Sequence, residues 1–412
     1  MAHKTSLKRF VRQRILTFPL MVISVLRKSV KSMQVCLNEL FQEGWLGNVV
    51  SKSAYSRMRK QLKHTAFVAL NSLFVKEYYA QEDYKRWRGY RLLGVDGSRL
   101  ILPKSSDILS HFGSQRIPQT QHCEEDVLPC GILSVCYDVL NEINLHAVLG
   151  EAKCYEVTLA KSHEKAFGCK DIVLFDRHYA GFEFIAWLSQ QPCDFIIRCS
   201  NSTFLEGQKL FKGGPWRIET TLSAPGGKIK QFKKQGLPRH VTVNFIRVIL
   251  PTGETEVLVT SLKDKLLTAD DFLMLYGYRW KIETYYERLK ERLNLENFTV
   301  KHTEGVLQDI YATLLIANLE TLLTEDIDNS YAQQSNGQQK KVNKAISFNV
   351  IKHQVFNLFY DPYLDMDTLI EKMEILFKQS PTHVRPGRQV ERGKSGPYRK
   401  LRFLKTRRKI CF

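Results

Sequence analysis

Four side chains that could take part in binding or catalysis are spaced at helical intervals between residues 269 and 294. They are Tyr276, Arg279, Glu283 and Lys290. At about 100° per residue, an α-helix brings these positions within about 60° of one another, so they predict one stripe that could point into a site. The apolar residues fall on a second arc, typical of a face that packs on a core: Met274, Leu275, Tyr278, Ile282, Tyr285, Leu289 and Leu293. The alternative is an ordinary i,i+4 pair of Arg279 and Glu283 on a solvated face.

The spacing of the four residues resembles the signature of the transposases of the insertion-sequence 4 family. The surrounding text also matches: Leu275-Tyr276-Gly277-Tyr278-Arg279-Trp280-Lys281-Ile282-Glu283, then Leu289-Lys290. The resemblance covers roughly residues 10–400 and is most specific at 255–295. It implies a DDE transposase, in which Glu283 is one of three acidic residues that bind metal.

Asp96 is the first of the other two acids. It lies between two apolar runs in Leu92-Leu93-Gly94-Val95-Asp96-Gly97-Ser98-Arg99-Leu100-Ile101-Leu102. An Asp-Gly pair in such a position is also common as a hairpin turn, and that alternative needs no catalytic role. The segment resembles the strand that carries the family's first catalytic aspartate, which favours function.

Asp176 ends the apolar run Ile172-Val173-Leu174-Phe175, which predicts a strand buried on both faces. Acids at the carboxyl ends of such strands are well placed for metal or substrate. The alternative is that Asp176 caps a helix over 182–188. Asp176-Arg177-His178-Tyr179 resembles the family's Asp-Arg-Gly-Tyr and departs from it at His178.

Three carboxylates from distant segments suit a hard cation, and the resemblance implies magnesium at Asp96, Asp176 and Glu283. We expect two Mg²⁺ ions, for which Mn²⁺ can substitute, serving in-line phosphodiester hydrolysis and strand transfer. Tyr276, Arg279 and Lys290 are expected to hold DNA phosphates beside them.

Composition agrees with an anionic partner. The net charge is +19 and the pI about 9.4, with 43% apolar and 25% charged residues, as in a globular protein. These values favour double-stranded DNA over a membrane. The apolar run from Ile15 to Leu26 is too short to cross a bilayer and contains Pro19. No small-residue cleavage pattern follows it, so we expect a cytoplasmic, nucleoid-associated bacterial protein rather than a secreted one.

Two further regions carry candidate DNA contacts. Residues 1–88 predict a helical, helix-turn-helix-like domain with a turn near Gly44 to Gly47 and phosphate contacts from Arg57, Arg59, Lys60 and Lys63; a solvated bundle is the alternative. A β-rich insertion over 200–262 carries Trp216, which could stack on an unpaired base but is favoured as a core residue. Lysines at 228, 230, 233 and 234 are expected to face phosphates.

The predicted fold is α/β: a ribonuclease-H-like catalytic core over 89–325 that contains the insertion, preceded by the helical domain. Residues 326–412 are expected to hold a loose linker at 326–341, a helical stretch and a basic tail. The resemblance implies a cut-and-paste transposase that acts on terminal inverted repeats as a DNA-bridged homodimer. The alternatives are a metal-dependent nuclease of the same fold without strand transfer, and a catalytically silent DNA-binding descendant of a transposase.

Overall fold

The computed structural model describes residues 3–6, 9–11, 15–29, 31–43, 49–116, 127–333, 340–361 and 363–384. Its α-helices are α1 (Phe18–Leu26), α2 (Met33–Glu43), α3 (Lys52–Arg59), α4 (Thr65–Ala80), α5 (Ser106–Phe112), α6 (Glu156–Lys161), α7 (Phe182–Leu188), α8 (Leu205–Phe211), α9 (Ile229–Lys234), α10 (Ala269–Gly277), α11 (Trp280–Glu291), α12 (Thr303–Gln333), α13 (Lys344–Phe359) and α14 (Met366–Gln379). Its strands are β1 (Arg91–Ile101), β2 (Ser114–Arg116), β3 (Val127–Asp138), β4 (Ile143–Glu151), β5 (Asp171–Phe175), β6 (Asp194–Arg198), β7 (Arg217–Ser223), β8 (His240–Ile249), β9 (Thr255–Thr260), β10 (Lys340–Lys341) and β11 (Thr382–His383).

The chain divides into two compact units. The first holds Met1–Phe74, Ile101–Cys130 and Glu287–Phe412, and the second holds Val75–Leu100 and Gly131–Tyr286. This division is discontinuous along the chain, whereas the sequence predicted three consecutive domains. Those consecutive boundaries stay a prediction about which segments fold independently.

A mixed sheet forms the framework of the second unit. In the described part of the chain the sheet has nine strands in the order β2-β3-β1-β5-β6-β9-β8-β7, with β4 beside β3. The pairs β1–β5 and β5–β6 are parallel, whereas β6–β9, β8–β9 and β7–β8 are antiparallel. The mixed α/β class predicted from the sequence is confirmed. The strands of the 200–262 insertion, β7, β8 and β9, extend this sheet.

A buried ion pair sets the register of the two central strands. Arg91 donates from Nε and Nη2 to the two carboxylate oxygens of Asp171, at 2.8 and 2.7 Å, and these residues are register partners at the starts of β1 and β5. Asp171 is almost fully buried, and such two-point pairing of guanidinium with carboxylate fixes geometry as well as charge. This ion pair therefore helps to fix the register of β1 against β5.

The segment 269–294 is two helices rather than the one continuous helix that the spacing predicted. α10 begins with a capping box between Thr268 and Asp271 and ends at Gly277. At the junction Arg279 N–H donates to the carbonyl of Tyr276 and Ile282 N–H to that of Arg279, a tighter i−3 pattern that replaces the α-helical one. Tyr276 lies before the junction and Glu283 after it, so a single helical wheel does not describe their relation.

Helices α1, α12, α13 and α14 belong to the first unit. α12 is long and apolar enough to span a membrane by composition, but 72% of its most apolar window is buried within the protein, as in a core helix. It extends to Gln333, so much of the predicted loose linker at 326–341 is helix, and 334–339 lie outside the described residues. The polar segment after β1 contains α5, β2 and the start of β3. The turn near Gly44 to Gly47 and the tail beyond 384 also lie outside the described residues.

Candidate active site

The first two acids come from neighbouring parallel strands. Gly94 of β1 is the register partner of Leu174 of β5; Asp96 follows Gly94 by two residues within β1, and Asp176 is the first residue after β5. Adjacent strands lie about 4.8 Å apart, and residues at equal steps from a register pair project to the same face. Asp96 stands in the middle of a continuous strand, so the hairpin alternative is wrong. The cap of α7 is Gly181, so Asp176 does not cap that helix either.

Helix α11 approaches this face of β1 closely. A Cβ on Gly94 would lie 3.5 Å from Cβ of Ile282, so the glycine leaves room for α11 against the strand. Tyr286, one turn after Glu283, directs its hydroxyl to the carbonyl oxygens of Asp96 (2.9 Å) and Leu133 (2.8 Å). These contacts fasten α11 to the backbone that carries Asp96, and they bring the third acid to the same region as the first two.

Arg279 and Glu283 form an ion pair within the site. Nη2 of Arg279 donates to Oε1 of Glu283 at 2.9 Å. The pair has the i,i+4 spacing, but the Arg279 side chain is only 4% exposed whereas that of Glu283 is 39% exposed. The alternative of a solvated-face pair is therefore wrong for the cation. The guanidinium also lies over the ring of Trp280 at 4.6 Å.

Burial and neighbouring charges shift the pKa values of Asp96 and Asp176. Burial raises the pKa of Asp96 to about 6; the Gly97 backbone N–H and the charge of Arg279 oppose this rise, and the negative charges of Glu156 and Glu283 add to it. The pKa of Asp176 is lowered, because burial is outweighed by the Arg177 N–H, by Arg279 and by a hydrogen bond of 3.1 Å with His178. Asp96, Asp176 and Glu283 thus share one neighbourhood, with Arg279 as their common cation.

A fourth carboxylate, Glu156, was missed by the sequence analysis. It opens α6, and its side chain lies over Gly97, where a Cβ would come within 2.9 Å of its Cγ. Burial raises the pKa of Glu156, with His178 and Arg99 lowering it and Asp176 raising it further. No spacing rule connects Glu156 to the other acids, since tertiary structure alone brings it beside Asp96.

Three buried donors at this site have no hydrogen-bond partner among the described residues. They are the hydroxyls of Tyr179 and Tyr276 and Nε of Arg279. All three side chains are at least nine-tenths buried. The negative charges of Asp96, Glu156 and Asp176 raise the pKa of Tyr179 further above the value that burial sets, which locates its hydroxyl among the acids. Buried donors are normally satisfied, so these three are available to a ligand that brings acceptors.

Comparison with known proteins identifies the family of this chain. The family model for the transposase DDE domain matches residues 87–319, more than half of the chain. The chain belongs to the DDE transposase family. The resemblance predicted from the sequence is thereby confirmed, and a curated relative supports the insertion-sequence 4 assignment. That relative is the transposase InsG for insertion sequence element IS4 of Escherichia coli (strain K12), 24% identical over 278 residues, 66% of this chain and 60% of the relative.

The chain thus aligns with about three fifths of that relative's length. Among solved structures, the piggyBac transposase in a synaptic complex with hairpin DNA aligns with 93% of this chain and 79% of its own, at 12% identity and a TM-score of 0.41.

In this DDE transposase the other predicted DNA contacts have different environments. Lys290 lies two turns after Glu283 on α11 and is half-buried. Trp216 is 40% exposed, so the expectation that favoured a core position is wrong. The four lysines of the insertion are exposed on and beside α9: Lys228, Lys230, Lys233 and Lys234.

The basic helix α3 is capped by Ser51, whose side chain accepts a hydrogen bond from the backbone N–H of Ala54. Arg57 and Lys60 are exposed on it, as is Lys63 beyond it. Arg59, however, is buried and pairs with Asp309 of α12 at 2.7 Å, and its Nε donates to Gln308 at 2.8 Å. The prediction of a phosphate contact at Arg59 is therefore wrong: the residue neutralises a buried carboxylate.

Metal ligation requires one rearrangement. Among the described residues no three histidine, cysteine, aspartate or glutamate side chains form a ready-made metal group. The donor set nevertheless suits a hard cation, because it is all carboxylate. Glu283 would have to give up its Arg279 partner to join Asp96 and Asp176.

Proposed function

We propose that this DDE transposase cleaves phosphodiester bonds at the terminal inverted repeats of an insertion sequence and joins the freed ends to target DNA. The observation that carries the proposal is the shared neighbourhood of Asp96, Asp176 and Glu283 around Arg279. The three acids come from segments far apart in the chain, which is the expected arrangement of a metal-dependent phosphoryl-transfer site.

We propose a ribonuclease-H-like core. The strand order β4-β3-β1-β5-β6 supports this. Strands β3 and β4 lie on one side of β1, and the parallel strands β5 and β6 lie on its other side. Asp96 on β1 and Asp176 just after β5 therefore lie near the middle of the sheet. Asp176 follows the carboxyl end of its strand, where α/β sheets bind their ligands.

Asp96, Asp176 and Glu283 would hold two Mg²⁺ ions, with Mn²⁺ as a substitute. When bound, these ions would activate a water or a DNA 3′-hydroxyl and stabilise the leaving oxygen. Tyr286 and the close contact at Gly94 hold α11, which carries Glu283, against the strand that carries Asp96.

Arg279 and Tyr276 would position the scissile phosphate. The hydroxyl of Tyr276 and Nε of Arg279 are buried without partners, and phosphate oxygens are strong acceptors. A guanidinium released by Glu283 could engage that phosphate through two parallel hydrogen bonds. Lys290 would extend the same role along α11.

Double-stranded DNA would be held mainly through its phosphates. Arg57 and Lys60 of α3, the α9 lysines and the basic tail would supply salt-sensitive contacts, with Trp216 exposed for stacking on an unpaired base. We propose a homodimer bridged by two element ends, working in the bacterial cytoplasm in association with the nucleoid.

A strand-transfer assay tests this function against a nuclease without joining activity. Purified protein is incubated with Mg²⁺, a labelled duplex taken from the flank of its own gene, and a supercoiled target plasmid. We expect covalent joining of the label to the plasmid. Cleavage of the duplex without joining would favour the nuclease, and specific binding without either reaction would favour the silent descendant.

A further inference from the structure

A cationic cavity lies in the first unit, apart from the residues assigned to catalysis. It has a volume of about 220 Å³ and is bounded by the end of α1, by α2, by the loop after α11 and by α13. Four cationic side chains line it, Arg27, Lys28, Arg292 and Lys352, against one carboxylate, Glu39. The carboxylate is itself engaged from another direction by Lys31 at 2.7 Å. The lining therefore has a surplus of positive charge.

Lys352 is the least compensated of these cations. Among the described residues it makes no hydrogen bond or ion pair, and the charges that affect its pKa are those of Lys28 and Asp309. Burial and the like charge of Lys28 lower the pKa of Lys352 to about 8. Asp309 opposes this only weakly, because its oxygens are occupied by Arg59 and Thr299 at 2.7 and 2.8 Å.

Lys28 has a structural role that holds one wall in place. Its ammonium donates to the carbonyls of Asn294 and Leu295 at 3.3 and 3.2 Å and lies over the ring of Phe298 at 5.3 Å. These contacts pin the loop after α11, whose Asn294 has a positive φ of 51°. Arg292 is exposed at the rim, where it could close over an occupant.

Lys352 is half-buried, and a partly desolvated cation without a paired counter-charge carries a free-energy cost that a bound anion would remove. The cavity offers about seven times the ~30 Å³ that one water occupies in the liquid, which suits a tetrahedral oxyanion with some of its water. Side-chain amides of Asn297 and Asn349 add neutral donors to the wall. We propose that this cavity is a phosphate-binding site, with Lys352 as its inner cation and Arg292 as its outer one.

Inorganic phosphate is the probe for a direct test. Thermal unfolding of the full chain is followed as phosphate replaces chloride at constant ionic strength, and a dissociation constant is taken from the rise in Tm. We expect Lys352→Gln to weaken phosphate binding at least tenfold. In phosphate-free buffer the same variant should unfold at or above the wild-type temperature, because an uncompensated cation has been removed.

Lys372→Gln, on the exposed side of α14, is the matched control and should respond as the wild type does. An equal rise in Tm for all variants would be a general salt effect and would overturn the proposal, as would no rise at all. Should Lys352→Gln fail to fold, Arg292→Gln decides: at least threefold weaker phosphate binding supports the site, and unchanged binding overturns it.

A second arm identifies the source of the phosphate. Binding of a random-sequence duplex is measured by fluorescence anisotropy over a range of chloride concentrations. If the site takes a DNA backbone phosphate, Lys352→Gln should reduce the salt slope by about one, and free phosphate should compete. If duplex binding is unchanged while the response to inorganic phosphate is lost, the occupant is a small phosphorylated molecule. The phosphate site itself does not depend on the catalytic proposal.

Discussion

Arg279 holds Glu283 by a hydrogen bond of 2.9 Å between Nη2 and Oε1, with the guanidinium buried and the carboxylate partly exposed. One carboxylate oxygen cannot serve both a guanidinium and a metal ion at full strength. If Glu283 binds metal as proposed, this pair would link the entry of the metal to the release of Arg279 toward a phosphate.

Replacing Arg279 with methionine separates these two roles. We expect divalent-metal affinity to be unchanged or tighter, because a competing cation leaves the acids, while cleavage falls about 100-fold through loss of phosphate positioning. Affinity is measured by calorimetry with Mn²⁺ and cleavage on a labelled duplex. Arg239→Met, at an exposed position, is the control. Weaker metal binding in Arg279→Met would show that the arginine organises the acids instead of competing for them.

Glu156→Gln tests the fourth carboxylate. Its charge adds to the negative potential at Asp96, so its removal should weaken Mn²⁺ binding about tenfold and lower the pKa of Asp96 toward its usual range. Calorimetric titration and the pH dependence of metal binding provide the readout. Glu164→Gln, in the exposed 3₁₀ turn at 164–166, should have no effect. Equal affinities for the two variants would remove Glu156 from the site.

Metal binding should depend on pH through Asp96. Its folded pKa is raised to about 6, so below pH 6 the protonated form prevails and a divalent cation must displace a proton. We expect affinity to fall about tenfold for each pH unit below 6, whereas the lowered pKa of Asp176 keeps that residue ionised. Calorimetry in buffers of different ionisation enthalpy at pH 5.5 should detect about one proton released. No release at that pH would contradict the assignment.

The buried pair of Arg91 and Asp171 should act on stability and geometry together. Asp171→Ala leaves an unpaired buried guanidinium, and we expect a loss of about 3–5 kcal/mol in the free energy of unfolding. Urea denaturation measures this loss. Disruption of the exposed pair of Arg88 and Asp271 by Arg88→Ala should cost much less, about 0–1 kcal/mol. Similar costs for both would mean that the strand register does not depend on the buried pair.

The sequence allowed prediction of the elements that depend on local pattern. The apolar run before Asp176 correctly predicted β5, because this signal lies within the element that it predicts. The sequence motifs around the three acids indicated the family. They also predicted the three acids as site residues, and in the structure the charges of these acids lie close to Arg279.

Distant partners explain what the sequence did not disclose. The sequence predicted Arg59 as a surface cation on a basic helix. Its ion-pair partner in the structure, Asp309, is 250 residues away in the chain, so no local pattern could reveal the pair. Glu156 follows no spacing rule, and it reaches the site only because α6 folds back over Gly97. No proline marks the break between α10 and α11. Because the helical periodicity continues across it, the sequence predicted one continuous helix there.

The most direct test of the central claim is Mg²⁺-dependent nicking of a duplex that carries the element's end, measured for Asp96→Asn, Asp176→Asn and Glu283→Gln beside a gel-shift on the same DNA. Each variant should lose nicking while it retains end binding, and combining the substitutions should add little, because the three groups act as a unit. A wild-type nicking rate in any one of the three would contradict the proposal that this residue belongs to the catalytic site.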